Sequence, residues 1–213
     1  MPTGLYFPTT IYCDEIPISD EDRNDKLGHL YEARARSATS FKSMSHGAFT
    51  SFNSEDMLHK HHMFSGIYAK ILEHATLYAK DLGADVETFK PHLLNSWGNI
   101  YPKGEYVRQH HHANSVLSGV YYLSCPPGTG GTYFVNPLEY ARAMDFPFYT
   151  ERNMKNFEEV YFDEQSSRVI IFPGWLKHYT DANKADVDRV ILSFNIGFFP
   201  ADQSIPDLVT LKS

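Results

Sequence analysis

From Phe89 to Phe198 the chain is a succession of short β-prone runs separated by Pro, Gly and Asn turns, and this texture limits the fold more than any other feature. The runs are Leu93–Tyr101, Tyr106–His112, Ser115–Leu123, Thr132–Val135, Val160–Phe162, Arg168–Phe172, Lys177–Tyr179 and Arg189–Phe198. Eight short strands with little helix between them must face a second sheet or close on themselves, so a sandwich or barrel is expected. An aromatic content of 15% suits such an interior. One stretch breaks the pattern. Residues 137–156 form an aromatic, mixed-charge insertion with a candidate helix over Leu138–Met144, readable equally as a lid or as a surface excursion.

The first 88 residues have a different character. Leu5–Cys13 reads as an edge strand, because Pro8 cannot donate to a central ladder. A polar helix is predicted from Ser19 to about Ser37, with Ser19 as its cap and acidic residues in its first turn. Residues 38–52 read as a loop. The strongest helical periodicity starts at Ser54-Glu55-Asp56, runs through Phe64, Ile67, Tyr68, Ile71 and Ala75, and stops near Gly83. His59, His61, His62 and His74 on this helix read as solvated or core-edge side chains. Residues 199–213 read as a surface tail. The 213 residues are thus expected to form a single domain, with 1–88 supporting a β core at 89–198.

Charge and composition narrow the partners. A net charge of −7 with no basic cluster argues against nucleic acid and membrane surfaces. No apolar run reaches the roughly 20 residues of a spanning helix, and the N-terminus lacks the basic region of a signal peptide. The only two cysteines, Cys13 and Cys125, read as small buried apolar side chains in a reducing compartment. A cytosolic protein acting on a small molecule or a peptide is expected.

The chemistry concentrates in Tyr106–Leu123, YVRQHHHANSVLSGVYYL. On an extended segment His110 and His112 share one face and His111 takes the other. Two imidazoles one residue apart chelate a borderline divalent metal. His178, just after the apolar run Val169–Phe172, is the candidate third ligand. Three histidines leave open positions on an octahedral metal such as Fe(II), as an oxygen-activating site requires. The competing reading makes the triple histidine a polar strand end and His178 a satisfied core residue. A closed structural zinc site would want thiolates, and neither cysteine is spaced for it. Arg189 reads either as a bidentate carboxylate clamp or as a surface arginine paired with Asp186 or Asp188. Tyr101 and Tyr122 could offer hydroxyls to the same carboxylate or serve as core aromatics.

In order and spacing, NIYPKGEYVRQHHH, SGVYYL, GGTYF and IIFPGWLKHYT…RVILSFN resemble the Fe(II)/2-oxoglutarate-dependent oxygenases. The likeness spans Leu93 to Phe199. It is nearest to a 2-oxoglutarate oxygenase family of bacteria and marine phages with prolyl-hydroxylase-like motifs. The resemblance implies a double-stranded β-helix, the jelly-roll or cupin-like core, made of two facing four-stranded antiparallel sheets. It implies Fe(II) on His110, His112 and His178, with Arg189 on the distal carboxylate of 2-oxoglutarate and Tyr101 near that cosubstrate. Gly130-Gly131 would turn the chain into Thr132–Val135. It further implies hydroxylation of an unactivated C–H bond, of a prolyl, peptidyl or amino-acid substrate, with O2 consumed and succinate and CO2 released. Action in a host cytosol would follow if the chain is phage-encoded. One departure stands out: most of the superfamily has Asp or Glu where this chain has His112. That keeps two alternatives open, a three-histidine cupin-type dioxygenase without 2-oxoglutarate and a non-catalytic metal- or ligand-binding module.

Overall fold

The computed structural model describes residues 5–36, 47–52, 54–138, 146 and 148–202. The elements in chain order are β1 (Tyr12–Glu15), α1 (Asp20–Arg36), β2 (Phe49–Thr50), α2 (His62–Asp81), β3 (Phe89–Tyr101), β4 (Leu117–Ser124), β5 (Thr132–Val135), β6 (Glu159–Phe162), β7 (Arg168–Pro173), β8 (His178–Thr180) and β9 (Arg189–Pro200). Six strands form one sheet in the order β1-β7-β4-β9-β3-β2, and three form a second in the order β6-β5-β8. Neighbouring strands pair antiparallel throughout. This is the double-stranded β-helix, mainly β with N-terminal helices.

The sheets depart from the expected four plus four. The larger gains β1 and β2 at its edges. In the smaller, Tyr106–His112 does not become a strand, and its fourth place is taken by irregular chain. His110 and His178 exchange both backbone bonds, at 3.0 and 2.9 Å, and Thr180 N–H donates to Val107 C=O at 3.1 Å. The edge strand starts later than expected, at Tyr12, with Pro8 outside it. Phe49–Thr50, expected as loop, pairs with Ile100 and Asn99.

The first helix behaves as its sequence dictates, whereas α2 starts at His62 rather than at the expected Ser54, after a single 3-10 turn at Leu58–Lys60. Asp22 N–H donates to Ser19 Oγ at 3.1 Å, the expected cap of α1. Beyond α2, Gly83 takes a φ of +79°, the left-handed turn that glycine permits. Both helices cover one face of the larger sheet. There Phe64, Tyr68 and Ile71 of α2 and Leu30 of α1 pack against Tyr121, Val169, Ile171, Leu192 and Phe194.

Strand alternation sends the other set inward. Tyr101, Val120, Tyr122, Ile170, Phe172 and Ile191 form a second cluster between the sheets, with Phe134 from the smaller one. Cys125 lies in this cluster, as expected. Cys13 does not: it is exposed, because the edge strand β1 turns that position to solvent. Residues 139–144 of the candidate helix and most of the tail fall outside the described residues.

Candidate metal centre

The three sequence-selected histidines converge. One ligating nitrogen from each of His110, His112 and His178 lies within 4.8 Å of the others. Ring centroids are 4.2 Å apart for His110–His178 and 5.2 Å for each of the other two pairs. They come from three local causes. His178 opens β8 behind the buried run of β7. His110 is held to it by the backbone bridge. His112 N–H donates to Gly174 C=O at 2.8 Å, which draws the histidine loop against the β7–β8 turn. Only glycine fits at 174, since a Cβ there would meet Ser115 Oγ at 2.4 Å and Ser115 O at 2.6 Å.

The second ring nitrogen of each histidine fixes its tautomer. His110 Nδ1 faces Arg108 C=O at 2.8 Å, His178 Nδ1 faces Leu176 C=O at 2.9 Å, and His112 Nδ1 faces Asn195 Oδ1 at 2.6 Å. A carbonyl oxygen can only accept, so all three protons sit on Nδ1 and all three Nε2 atoms keep a free lone pair. His110 Nε2 and His112 Nε2 then stand 3.3 Å apart with no hydrogen between them. That contact is repulsive unless a cation lies between the rings, so the donor set fits a divalent metal. Burial, the largest cause in each case, pushes the imidazoles toward the neutral form. His112 falls to about 4, and His110 and His178 also lie below the ordinary value. At neutral pH no proton competes for the lone pairs.

Asn195 was not singled out in the sequence. Its Oδ1 also accepts from Ser118 Oγ at 2.7 Å, and its Nδ2 donates to Asn95 Oδ1 at 2.8 Å, so the amide cannot flip freely. The only available signal was register. Arg189, Ile191, Ser193 and Asn195 alternate along β9 on the inward face, and the last three line the cavity.

That cavity, about 440 Å³, reaches the histidines. Asn95, Trp97, Asn99 and Tyr101 of β3 line one side, with Thr132, Phe172, Thr180 and Phe52 elsewhere. Trp97 stacks on His112, with centroids 6.0 Å apart, and meets Phe52 edge-on at 4.9 Å. Among the described lining residues there is no Asp, Glu, Lys or Arg.

Arg189 adjoins the cavity from behind that lining and is 1% exposed. Its Nη1 donates to the carbonyls of Thr129, Gly130 and Asp181 at 3.0 to 3.1 Å, and Nη2 donates to Thr180 Oγ1 at 2.8 Å. The guanidinium carbon lies 4.8 Å from the Tyr101 ring centroid. A φ of +84° at Gly130 presents its carbonyl to the arginine. The surface pairing considered for Arg189 is absent, since Asp186 bonds Lys103 and Asp188 bonds Arg34 and Tyr31. Among the described residues no carboxylate reaches it, and Nε is a buried donor with no partner. A buried cation without an anion costs several kcal/mol, so the site fits an anionic cosubstrate. Tyr122 is placed differently: its hydroxyl shares a 2.7 Å bond with Thr132 Oγ1, and the residue does not line the cavity.

Residues 95–195 match the family described as "Putative 2OG-Fe(II) oxygenase". Over that segment, just under half of the chain, the sequence resembles the 2OG-Fe(II) oxygenases. Solved structures carry the same fold. HygX from Streptomyces hygroscopicus, with nickel, 2-oxoglutarate and hygromycin B bound, is 15% identical with a TM-score of 0.57, covering 92% of this chain and 85% of its own. The viral collagen prolyl hydroxylase of Paramecium Bursaria Chlorella virus-1 is 14% identical with a TM-score of 0.55, covering 87% and 94%. A Pseudomonas putida prolyl-4-hydroxylase is 11% identical with a TM-score of 0.53, covering 88% and 92%. No curated protein sequence matches the chain.

The matched family is one of oxygenases that use Fe(II), 2-oxoglutarate and O2. The three candidate ligands, all neutral imidazoles, make an uncharged donor set. Asn195, an amide, then leaves the partner of His112 uncharged too. Among the described cavity-lining residues the protein supplies no anion.

Proposed function

We propose that the chain hydroxylates an unactivated C–H bond of an uncharged, peptide-like group, coupled to conversion of 2-oxoglutarate into succinate and CO2. His110, His112 and His178 are the metal ligands. Arg189 holds the distal carboxylate through Nε and the free side of Nη2, with Tyr101 packed beneath the guanidinium. The observation that carries the reading is the pairing of three Nε2 lone pairs on one point with an anion-less buried arginine beside the same cavity.

Bound Fe(II) supplies dioxygen activation, the chemistry no side chain here can perform. The chain's own residues do the rest. The three Nδ1–H bonds hold the imidazoles in the ligating tautomer. Asn195 keeps His112 in place without adding charge, so the cosubstrate dianion is the balancing negative charge at the metal. Phe172, Val120 and Ile191 exclude water from around the reacting groups.

The substrate class rests on the lining. A free amino acid would bring an ammonium and a carboxylate into a cavity with no charged lining residue to meet them. A peptide presents only a neutral side chain and amides, which Asn95, Asn99 and Ser193 can hydrogen-bond and Trp97 and Phe52 can flank. The test is turnover with Fe(II), 2-oxoglutarate and O2 against pooled peptides and pooled free amino acids. The expected result is succinate matched by a peptide product heavier by one oxygen atom. Succinate coupled only to free amino acids would contradict the substrate class.

A further inference from the structure

We propose that His29, Glu55 and His61 form a second divalent-metal site, in the helical layer and separate from the His110 triad. One ligating atom from each of the three lies within 4.8 Å of the others. They come from three elements: His29 from α1, Glu55 from the segment after β2, and His61 from the residue that caps α2. By sequence His61 is one of several histidines near a helix start, and His29 lies 32 residues before it. Only the fold brings them together, by crossing α1 over the start of α2.

The three side chains are already positioned. His29 lies edge-on to buried Phe64, with centroids 5.3 Å apart, and 4.6 Å from His61. The Glu55 backbone is tied to Ser51 twice: its N–H donates to Ser51 C=O at 2.6 Å, and Ser51 Oγ donates to its carbonyl at 2.9 Å. Ser51 is in turn bonded to Gly98 of β3. His29 Nε2 lies 3.1 Å from Glu55 Oε2, so the pair that would ligate is already in contact.

Two imidazoles and one carboxylate suit a borderline divalent ion such as Zn(II) or Co(II), with water filling the remaining positions of this partly exposed site. The cost is two bonds, the first being the 3.1 Å contact between His29 Nε2 and Glu55 Oε2, which metal coordination by both groups replaces. In the second, His61 Nδ1 accepts from Met63 N–H at 3.3 Å. Ligation by Nδ1 replaces that bond directly, and ligation by Nε2 moves the ring proton to Nδ1 with the same loss. Bound metal would brace α1 to α2 and fix the segment carrying Phe52, which lines the cavity.

Co(II) and Zn(II) titrated separately into the metal-free full chain test this. Wild type is expected to take two ions, and H110A/H112A and H61A one each. Zn(II) at a hundredfold excess over its Kd should raise the Tm of H110A/H112A by roughly 5–10 °C. Adding Glu55→Gln, which can still accept from His29, should weaken that remaining site by about tenfold or more, at least as much as losing a second-shell partner. His61→Ala should keep any 2-oxoglutarate-dependent absorption, which separates failure of this site from failure of the oxygenase reading. One ion in both wild type and H61A, or affinity unchanged by Glu55→Gln, would overturn the proposal and leave a hydrogen-bonded His–Glu pair only.

Discussion

At the scale of single residues, each candidate site side chain is defined by what holds its far end. His112 is positioned by Asn195, and removing that amide should loosen the ring without removing a ligand. Asn195→Ala is therefore expected to lower Fe(II) affinity by about 10–100-fold and, by taking the acceptor from buried Ser118, to lower the Tm of the metal-free protein by a few degrees. Equilibrium dialysis against iron and a thermal melt check the two halves. Arg189→Lys keeps the charge but not the planar fork that spans four acceptors. Losing one charge-assisted bond of about 1.5–3 kcal/mol should raise the KM for 2-oxoglutarate by roughly 10–100-fold, read from succinate formation. The three histidines and Arg189 were legible in the sequence because their spacing relative to β-prone runs is local information. Asn195, Asn95 and Trp97 were not. Their roles depend on which strand lies beside which, and an asparagine in a strand carries no signal of its partner. His61 shows the same limit from the other side, since its neighbours His29 and Glu55 are remote in sequence.

At the scale of elements, β4 is the strand with least freedom. It lies between β7 and β9, and at Gly119 a Cβ would meet Phe194 at 2.3 Å and Ile170 O at 2.7 Å. The aromatic ring can shift, but the backbone carbonyl of a central strand cannot. Gly119→Ala is expected to destabilise by roughly 1–3 kcal/mol, seen as a lower denaturant midpoint with unchanged slope. The helices and most strands were legible because their periodicity is set by burial on one face. Tyr106–His112 was misread for a physical reason. It has strand composition, but its polar groups serve the site: Val107 N–H goes to Thr180 Oγ1 and Arg108 C=O to His110 Nδ1. With those bonds going to side chains, the segment keeps only the His110–His178 bridge and the Val107–Thr180 backbone bond rather than a continuous ladder. β2 was missed because a two-residue strand has no period to read.

At the scale of the whole molecule, the buried neutral histidines give stability a pH dependence. His59, bonded to Ser96 Oγ, is held down to about 4, chiefly by burial, and His112 likewise. Between about 4 and the ordinary 6.5 the unfolded chain binds more protons than the folded one, so stability rises with pH across that window. The Tm of the metal-free protein should climb from pH 4 to 6.5 and level off above it; a flat profile would contradict the buried-neutral assignment. The jelly-roll core was legible in the sequence as a whole, from alternating strands and ordered motifs. The six-plus-three division was not, because edge pairing is decided by packing of the N-terminal segment. The central claim is that a neutral three-histidine site chelates 2-oxoglutarate through a metal, with Arg189 at its far end. It is tested most directly by adding Fe(II), then 2-oxoglutarate, to metal-free protein under anaerobic conditions and recording the visible spectrum. A new charge-transfer band that needs both additions, and more 2-oxoglutarate in Arg189→Lys, is the predicted result. Iron bound with no band at saturating 2-oxoglutarate would contradict the account.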